Sequence, residues 1–240
     1  MTMKKSILIA SCTAILISLA LSLYAQEKPM RYLFDSNGAF SVTGFGGPLV
    51  GFSEILGDFA VTSGGGGAAL FNQKFFIGGY GEGLATEHFI RNLEVYSPSS
   101  QKNIEYDKMQ LTFGHGGLWV GYIHDHYKLL HWGISARAGA GGIGLNYPGF
   151  MSGRHDIFMN DVVFVFTPQI EMEINLFPWM KMNVGAGYRL VSGVNRTYRF
   201  MQENGTLTTR SYFESGDFSS PNFTLGLLFG GFSRKNGNGK

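Results

Sequence analysis

Charge is scarce in this chain. Asp, Glu, Lys and Arg make up 15% of its 240 residues, against about 25% in soluble domains. No Lys/Arg-rich run occurs, so nucleic-acid binding has no electrostatic support. The single cysteine, Cys12, lies in an N-terminal apolar stretch. Beyond that stretch neither a disulfide nor a thiolate metal site can hold the chain together. Prolines number only 7, which excludes a Pro-rich linker composition. Past residue 25 no apolar run is long enough for a membrane helix, and no helical periodicity stands out. A further meeting with a membrane therefore requires a closed barrel, because lipid cannot satisfy the edge of an open sheet.

What is plentiful suits a barrel. There are 35 glycines, and aromatics reach 15%, with 21 Phe and 11 Tyr. Small residues allow close strand packing, and rings favour a boundary between oil and water. The N-terminus reads as an export signal over residues 1–25: "MTMKK" is the basic region, "SILIASCTAILISLALSL" the apolar core, and cleavage is expected after Ala25. Without Lys4 and Lys5 the remaining basic residues equal the 17 acidic ones, so the exported chain is near neutral.

A polar lead (26–38) should precede a barrel over 39–233, with a polar tail at 234–240. Eight strands are predicted near 39–54, 58–71, 74–86, 107–123, 129–145, 161–176, 179–193 and 222–232. Alternation is clearest late in the chain. Phe164, Phe166, Ile170 and Met172 share one face, and Thr167, Gln169, Glu171 and Glu173 the other. Met182 and Val184 likewise oppose Lys181 and Arg189 across strand seven. Connections near 56–57, 72–73, 124–128 and 177–178 are short, and those at 87–106, 146–160 and 194–221 are long. Tight periplasmic turns and long external loops mark outer-membrane barrels. Rings cluster near both ends: Tyr122, Tyr127, Trp132, Phe177 and Trp179 by short turns, Tyr147, Tyr188, Tyr198 and Tyr212 by long loops. Two such bands are expected at the two interfaces.

The fold class is therefore an all-β, eight-stranded, antiparallel up-and-down transmembrane barrel. Phe166, Ile170, Met182 and Val184 should meet acyl chains. Arg137, Glu171, Glu173, Lys181 and Arg189 should form a charge network filling a lumen too narrow to conduct. A tight turn at 177–178 would set Glu173 opposite Lys181 and Glu171 near Asn183. The Asn72-Gln73 turn would set Tyr80 near Gly65, where a ring can cover a bare glycine. Pro48 should mark a bulge or a strand end. His115 should face Arg137. The glycine runs lack the helix and GK[ST] of a phosphate loop and read as close strand packing.

Catalytic signals are thin. His124, His126 and His131 bracket one short turn, and His155 adjoins Asp156, but neither spacing pins a metal-ligand set. Ser135 and His131 share a strand face without a nucleophile motif such as GxSxG. No cofactor, metal or catalytic residue is assigned. Loops carry function on rigid scaffolds, so Tyr198, Phe200, Tyr212 and Phe213 are the candidate contact residues, as an adhesive tip or as rings resting on the rim. Asn204-Gly205 should turn a hairpin within that loop. The reading is a structural or surface-interaction barrel. The alternatives are a lipid-modifying hydrolase or acyltransferase with Ser, His and carboxylate at one rim, and a soluble lipocalin-like barrel with its apolar face inward.

The stretches "TGFGGPLVGFSEILGDFAVTSGGGGAALFNQKFFIGGYGEGL", "LTFGHGGLWVGYIHDHYKLLHW" and "MNVGAGYRLVSGV" resemble a family of small eight-stranded outer-membrane β-barrel proteins of Gram-negative bacteria. The resemblance spans nearly all of the chain after residue 25. It implies the fold and an outer-membrane location. It carries over no substrate or catalytic residue. The partners that follow are outer-membrane lipid, the barrel assembly machinery during insertion, and an extracellular or envelope partner met through the loops. One departure is the tail "SRKNGNGK" after Phe232, where many such barrels end on the aromatic.

Overall fold

The computed structural model describes residues 40–146 and 157–232. The expected signal (1–25), the lead (26–38), the tail (234–240), Tyr147, His155 and Asp156 lie outside the described residues. The strands are β1 (Val42–Ile55), β2 (Asp58–Phe71), β3 (Phe75–Leu84), β4 (Phe89–Ser97), β5 (Lys102–His124), β6 (Leu130–Asn146), β7 (Ile157–Phe177), β8 (Met180–Ser192), β9 (Thr197–Met201), β10 (Leu207–Ser211) and β11 (Ser220–Gly230).

β1–β2, β2–β3, β4–β5, β5–β6, β6–β7 and β7–β8 pair antiparallel, β8 pairs with β11, β1 pairs with β11 and β3 pairs with β5, while β9 and β10 form a separate hairpin. These contacts close β1, β2, β3, β5, β6, β7, β8 and β11 into an eight-stranded ring. β5 is 23 residues long, and its two halves have different partners on one edge. Gly114–Tyr122 pair with β3, and Lys102–Gln110 pair with β4. The segment 87–106, expected as a loop, is thus mostly a strand hairpin that carries the sheet past the rim. Its charges (Glu87, Arg91, Glu94, Lys102, Glu105) hide the apolar alternation, which is obligatory only where one face meets lipid.

Alternation decides which side each residue faces. Ile170 is 65% exposed and Glu171 2%. Phe166 and Val184 are exposed and Met182 half-buried, while Lys181 and Arg189 are buried. The charged face points inward and the apolar face outward, as expected for a spanning barrel and opposite to a lipocalin-like one. The outward apolar run on β7, from Val162 to Leu176, covers about 46 Å along the strand. At a tilt of about 45° that is roughly 33 Å upright, enough for a hydrocarbon core of about 30 Å. At the short-turn end Phe177 stacks on Trp179 with centroids 5.5 Å apart. Trp179 in turn stacks on Phe229 at 6.1 Å, forming part of one interfacial ring band.

Registers differ from expectation in four places. An irregularity between Asn175 and Phe177 sets Glu173 opposite Asn183, and Asn175 opposite Lys181. Lys181 still reaches Glu173 along the diagonal. Tyr80 pairs with Gly66 rather than Gly65, because Phe71 pairs directly with Phe75 across three turn residues. The ring over Gly66 belongs to Trp119. His115 lies opposite Glu82 and Gly141, while Arg137 lies opposite Trp119; both strands run unbroken, which puts them on different rungs. β1 passes through Pro48 without a bulge: Phe45–Gly46 and Leu49–Phe52 pair with β11 in one register, so the missing N–H interrupts the ladder only locally.

Candidate functional site

The middle of the lumen holds a continuous polar network, with no member more than 8% exposed. Arg137 on β6 forms an ion pair with Glu82 on β3 through Nη1 and Oε1, and its Nη2 donates to Gln169 at 3.3 Å. The other Glu82 oxygen accepts from the Thr62 hydroxyl at 3.2 Å. Glu171 accepts from Ser135, Gln169 and Asn183. Glu173 accepts from Lys181 Nζ at 2.9 Å and from His131 Nε2 at 2.9 Å. Buried charges survive when paired or fully hydrogen-bonded: Glu82 and Glu173 have cation partners, and Glu171 is held by three neutral donors.

Arg189 is set apart. It donates to the Phe218 and Glu54 carbonyls and to the Ser53 and Ser220 hydroxyls, at 2.9 to 3.4 Å. Among the described residues it has no carboxylate within ion-pair distance. It therefore ties β8 to the end of β1 and to a 3-10 turn at Ser215–Phe218, the one short helical turn among the described residues, where no helix was predicted.

Apolar clusters lie on both sides of the charges. Toward the short turns, Trp119 meets Phe45 and Phe76 edge-on, at 5.7 and 5.1 Å. Toward the long connections, Met109, Leu111, Ile143, Leu145 and Val165 fill the lumen, and Phe218 caps them against Phe113. Phe213 belongs to this cap. It is 6% exposed and meets Phe218 edge-on at 5.6 Å, so it is no part of an exposed tip; the 3-10 turn folds it inward. Tyr198 and Tyr212 meet at a 39° tilt with ring centroids 4.6 Å apart and are half-buried, and burial pushes the Tyr212 phenol up to about 12. Phe200 is half-buried beneath the Arg210 guanidinium at 4.4 Å.

Beyond the rim stand two hairpins, β4–β5 and β9–β10. The second turns through 202–206, with Gly205 at φ +78° and Gly205 N–H donating to Gln202 O at 2.9 Å. Asn103 latches the two. Its Nδ2 donates to Met201 O at 2.8 Å and its Oδ1 accepts from Met201 N–H at 2.9 Å, as a neighbouring strand would. A cleft of about 820 Å³ between them is lined by Glu94, Lys102, Phe200, Gln202 and Glu203 among others. Asp161 Oδ2 accepts from the Asn195 and Arg196 amides at 2.7 and 2.9 Å, which anchors the β9–β10 segment to β7.

Asn183 bonds Glu171 as expected, but the sequence does not single out Glu82, Ser135, Gln169 and His131 as partners of the expected charges, nor Asn103 and Asp161 as anchors. Inward parity was available for Glu82: it follows buried Phe76 and Tyr80 at even positions of β3. Asn103 gives no such signal. The histidines do not converge. His131 points into the lumen, while His124 lies beside Trp132 with ring centroids 5.0 Å apart. No group of three His, Cys, Asp or Glu fit for a metal occurs among the described residues. Ser135 and His131 bond to different carboxylates, so they form no nucleophile–base pair.

No family model matches the chain, and no curated protein does. Similar solved structures include Neisserial surface protein A, at 10% identity and TM-score 0.46, covering 80% of this chain and 99% of that one. A major outer membrane protein from Thermus thermophilus is similar at 9% identity and TM-score 0.46, covering 78% and 98%. Ail, the attachment invasion locus protein of Yersinia pestis, is similar at 7% identity and TM-score 0.41, covering 79% and 97%.

Proposed function

We propose that the chain is a closed, non-conducting outer-membrane barrel that presents its two latched hairpins to an extracellular or envelope partner. The membrane half of this reading follows from the faces: apolar residues outside, charges inside, no open edge in the ring. The lumen network acts as a structural plug, since eight strands leave room for side chains and little else. The observation that carries the interaction half is the Asn103–Met201 latch. It holds together two hairpins that barrel closure does not need, and they expose Ile104 and Leu207 above the rim.

The test separates the halves. Asn103→Ala should leave heat-modified gel mobility and membrane fractionation unchanged. Exchange at the Met201 amide should speed up by roughly tenfold, the loss of about 1–1.5 kcal/mol of hydrogen bonding. A photo-crosslinker at Leu207 should capture a partner in intact cells, and Asn103→Ala should weaken that capture. A soluble periplasmic product would end the membrane reading, and no capture from either Leu207 or Ile104 would end the interaction reading.

A further inference from the structure

On the β4–β5 hairpin Arg91 lies directly opposite Lys108. Like charges placed so repel. Both side chains are exposed, and neither has an ion-pair partner among the described residues. Their neighbours Ile90 and Met109 belong to the lumen cluster, so strand alternation turns Arg91 and Lys108 away from it. The Lys108 ammonium sits 3.7 Å from the centroid of the Phe89 ring, a cation above an apolar anchor.

Their height matters. Tyr122, on the same strand and the same outward face, lies in the short-turn ring band and contacts Phe75 at 4.9 Å. From Tyr122 to Lys108 is 14 residues, about 46 Å along the strand and roughly 33 Å upright at the usual tilt. That just exceeds a hydrocarbon core of about 30 Å. The cation pair therefore sits at the opposite headgroup layer, where fixed anions are phosphates.

We propose that Arg91 and Lys108 form a clamp for the phosphate of a membrane lipid, with Phe89 resting on the acyl boundary beneath it. The anion relieves the repulsion that the strand pairing imposes. This rests on the spanning reading above. Lipid is favoured over an acidic protein segment because the pair adjoins the belt rather than the hairpin tip.

The experiment is native mass spectrometry of the purified full chain in neutral detergent. Dilauroyl phosphatidic acid, dilauroyl phosphatidylcholine and inorganic phosphate are titrated separately. Removing both cations in Arg91→Gln/Lys108→Gln should raise the phosphatidic acid concentration needed for retention by roughly 25-fold, about fivefold per charge. Lys102→Gln, which removes a cation at the hairpin tip, should change nothing. Arg91→Glu, which gives Lys108 an opposite charge across the strand, should keep the hairpin intact and still lose retention. Equal retention by the double variant overturns the clamp, as does an equal loss in Lys102→Gln. Displacement of the lipid by inorganic phosphate at matched concentration makes it a free-anion site and also overturns the proposal. Heat-modified mobility of each variant reports the barrel separately, so failure of the clamp and failure of the spanning reading give different results.

Discussion

On the wall built from β1, β2, β3 and β5, much of the outward face is bare backbone: Gly44, Gly46, Gly65, Gly67, Gly79, Gly81, Gly83, Gly114 and Gly116. On the wall built from β6, β7, β8 and β11, the outward face carries Phe164, Ile170, Met172, Leu190, Phe223 and Leu225, all exposed. The interiors are reversed. The first wall sends in rings, Phe45, Phe76, Tyr80 and Trp119, while the second sends in Arg137, Glu171, Glu173, Lys181 and Asn183. A lumen of eight strands has a fixed volume. Large rings fit only where the facing backbone is bare, as Trp119 does over Gly66, where an added Cβ would lie 3.0 Å from the indole. Inward glycine such as Gly66 on one wall and charge on the other are thus two parts of one filling.

The strongest way to break this picture is to cut the bond between the walls. Glu82 comes from the glycine wall and Arg137 from the other, and both are buried. Arg137→Met leaves Glu82 charged without its cation and should cost about 3–5 kcal/mol. Replacing both, as Arg137→Met with Glu82→Leu, should recover most of that loss, since a buried pair is often no better than well-packed apolar groups. The readout is the urea midpoint of the folded, heat-modifiable band. A single-variant cost below about 1 kcal/mol would mean that the walls are not joined there.

A smaller effect tests the glycine wall alone. Gly78 and Gly81 stand on the same strand with opposite facings. A Cβ at Gly78 would lie 2.6 Å from the Ala68 Cβ and against the Gly67 carbonyl, whereas at Gly81 it meets nothing within 4 Å. Gly78→Ala should destabilise by about 1–3 kcal/mol through overpacking. Gly81→Ala should stabilise by about 0.4–1 kcal/mol by restricting the unfolded chain. If both destabilise alike, the close approach of the inward glycines to the neighbouring strand is not what sets the need for glycine on this wall.

The two walls were unequally legible. Strict alternation in 164–176 and 180–190 gave the second wall its strands and its facing, because a residue beside lipid and a residue beside a carboxylate differ in kind. On the glycine wall alternation is nearly silent, and Glu82 passed as part of a glycine run. Register was harder still, since a single irregularity at Asn175 moves every cross-strand partner beyond it. The partners of Arg189 are carbonyls and hydroxyls from β1, β11 and the 3-10 turn, which no local spacing announces. Phe213 looked like surface because its loop is polar; the fold turns it inward through the Ser215–Phe218 turn. Above the rim the lipid constraint ends, and the β4–β5 hairpin lost its strand pattern with it.

The smallest effect concerns the turn that joins the walls, between β5 and β6. Lys128 Nζ lies 2.7 Å from Asp125 Oδ2, and the Lys128 amide donates to Asp125 O at 2.9 Å. The hydrogen bond from Lys128 holds the Asp125 carboxyl below its ordinary value, and the same bond holds the Lys128 ammonium above its own. A depressed carboxylate contributes stability that is lost as pH falls through its folded value. A raised ammonium contributes stability that is lost as pH rises through its own. The ion pair is therefore present across the neutral range and fails at both extremes. Both groups face solvent, so salt screens the pair. As pH falls through the folded Asp125 value, exchange at the Lys128 amide, taken relative to the intrinsic rate at each pH, should show an excess in wild type over its neutral-pH level. Asp125→Asn, which keeps a residue tolerant of the φ of +51° found there, should abolish that excess. The urea midpoint should stay put in both. A midpoint shift as large as that of Gly78→Ala would make the turn a structural joint, and the two walls would then depend on their connection as much as on what fills the space between them.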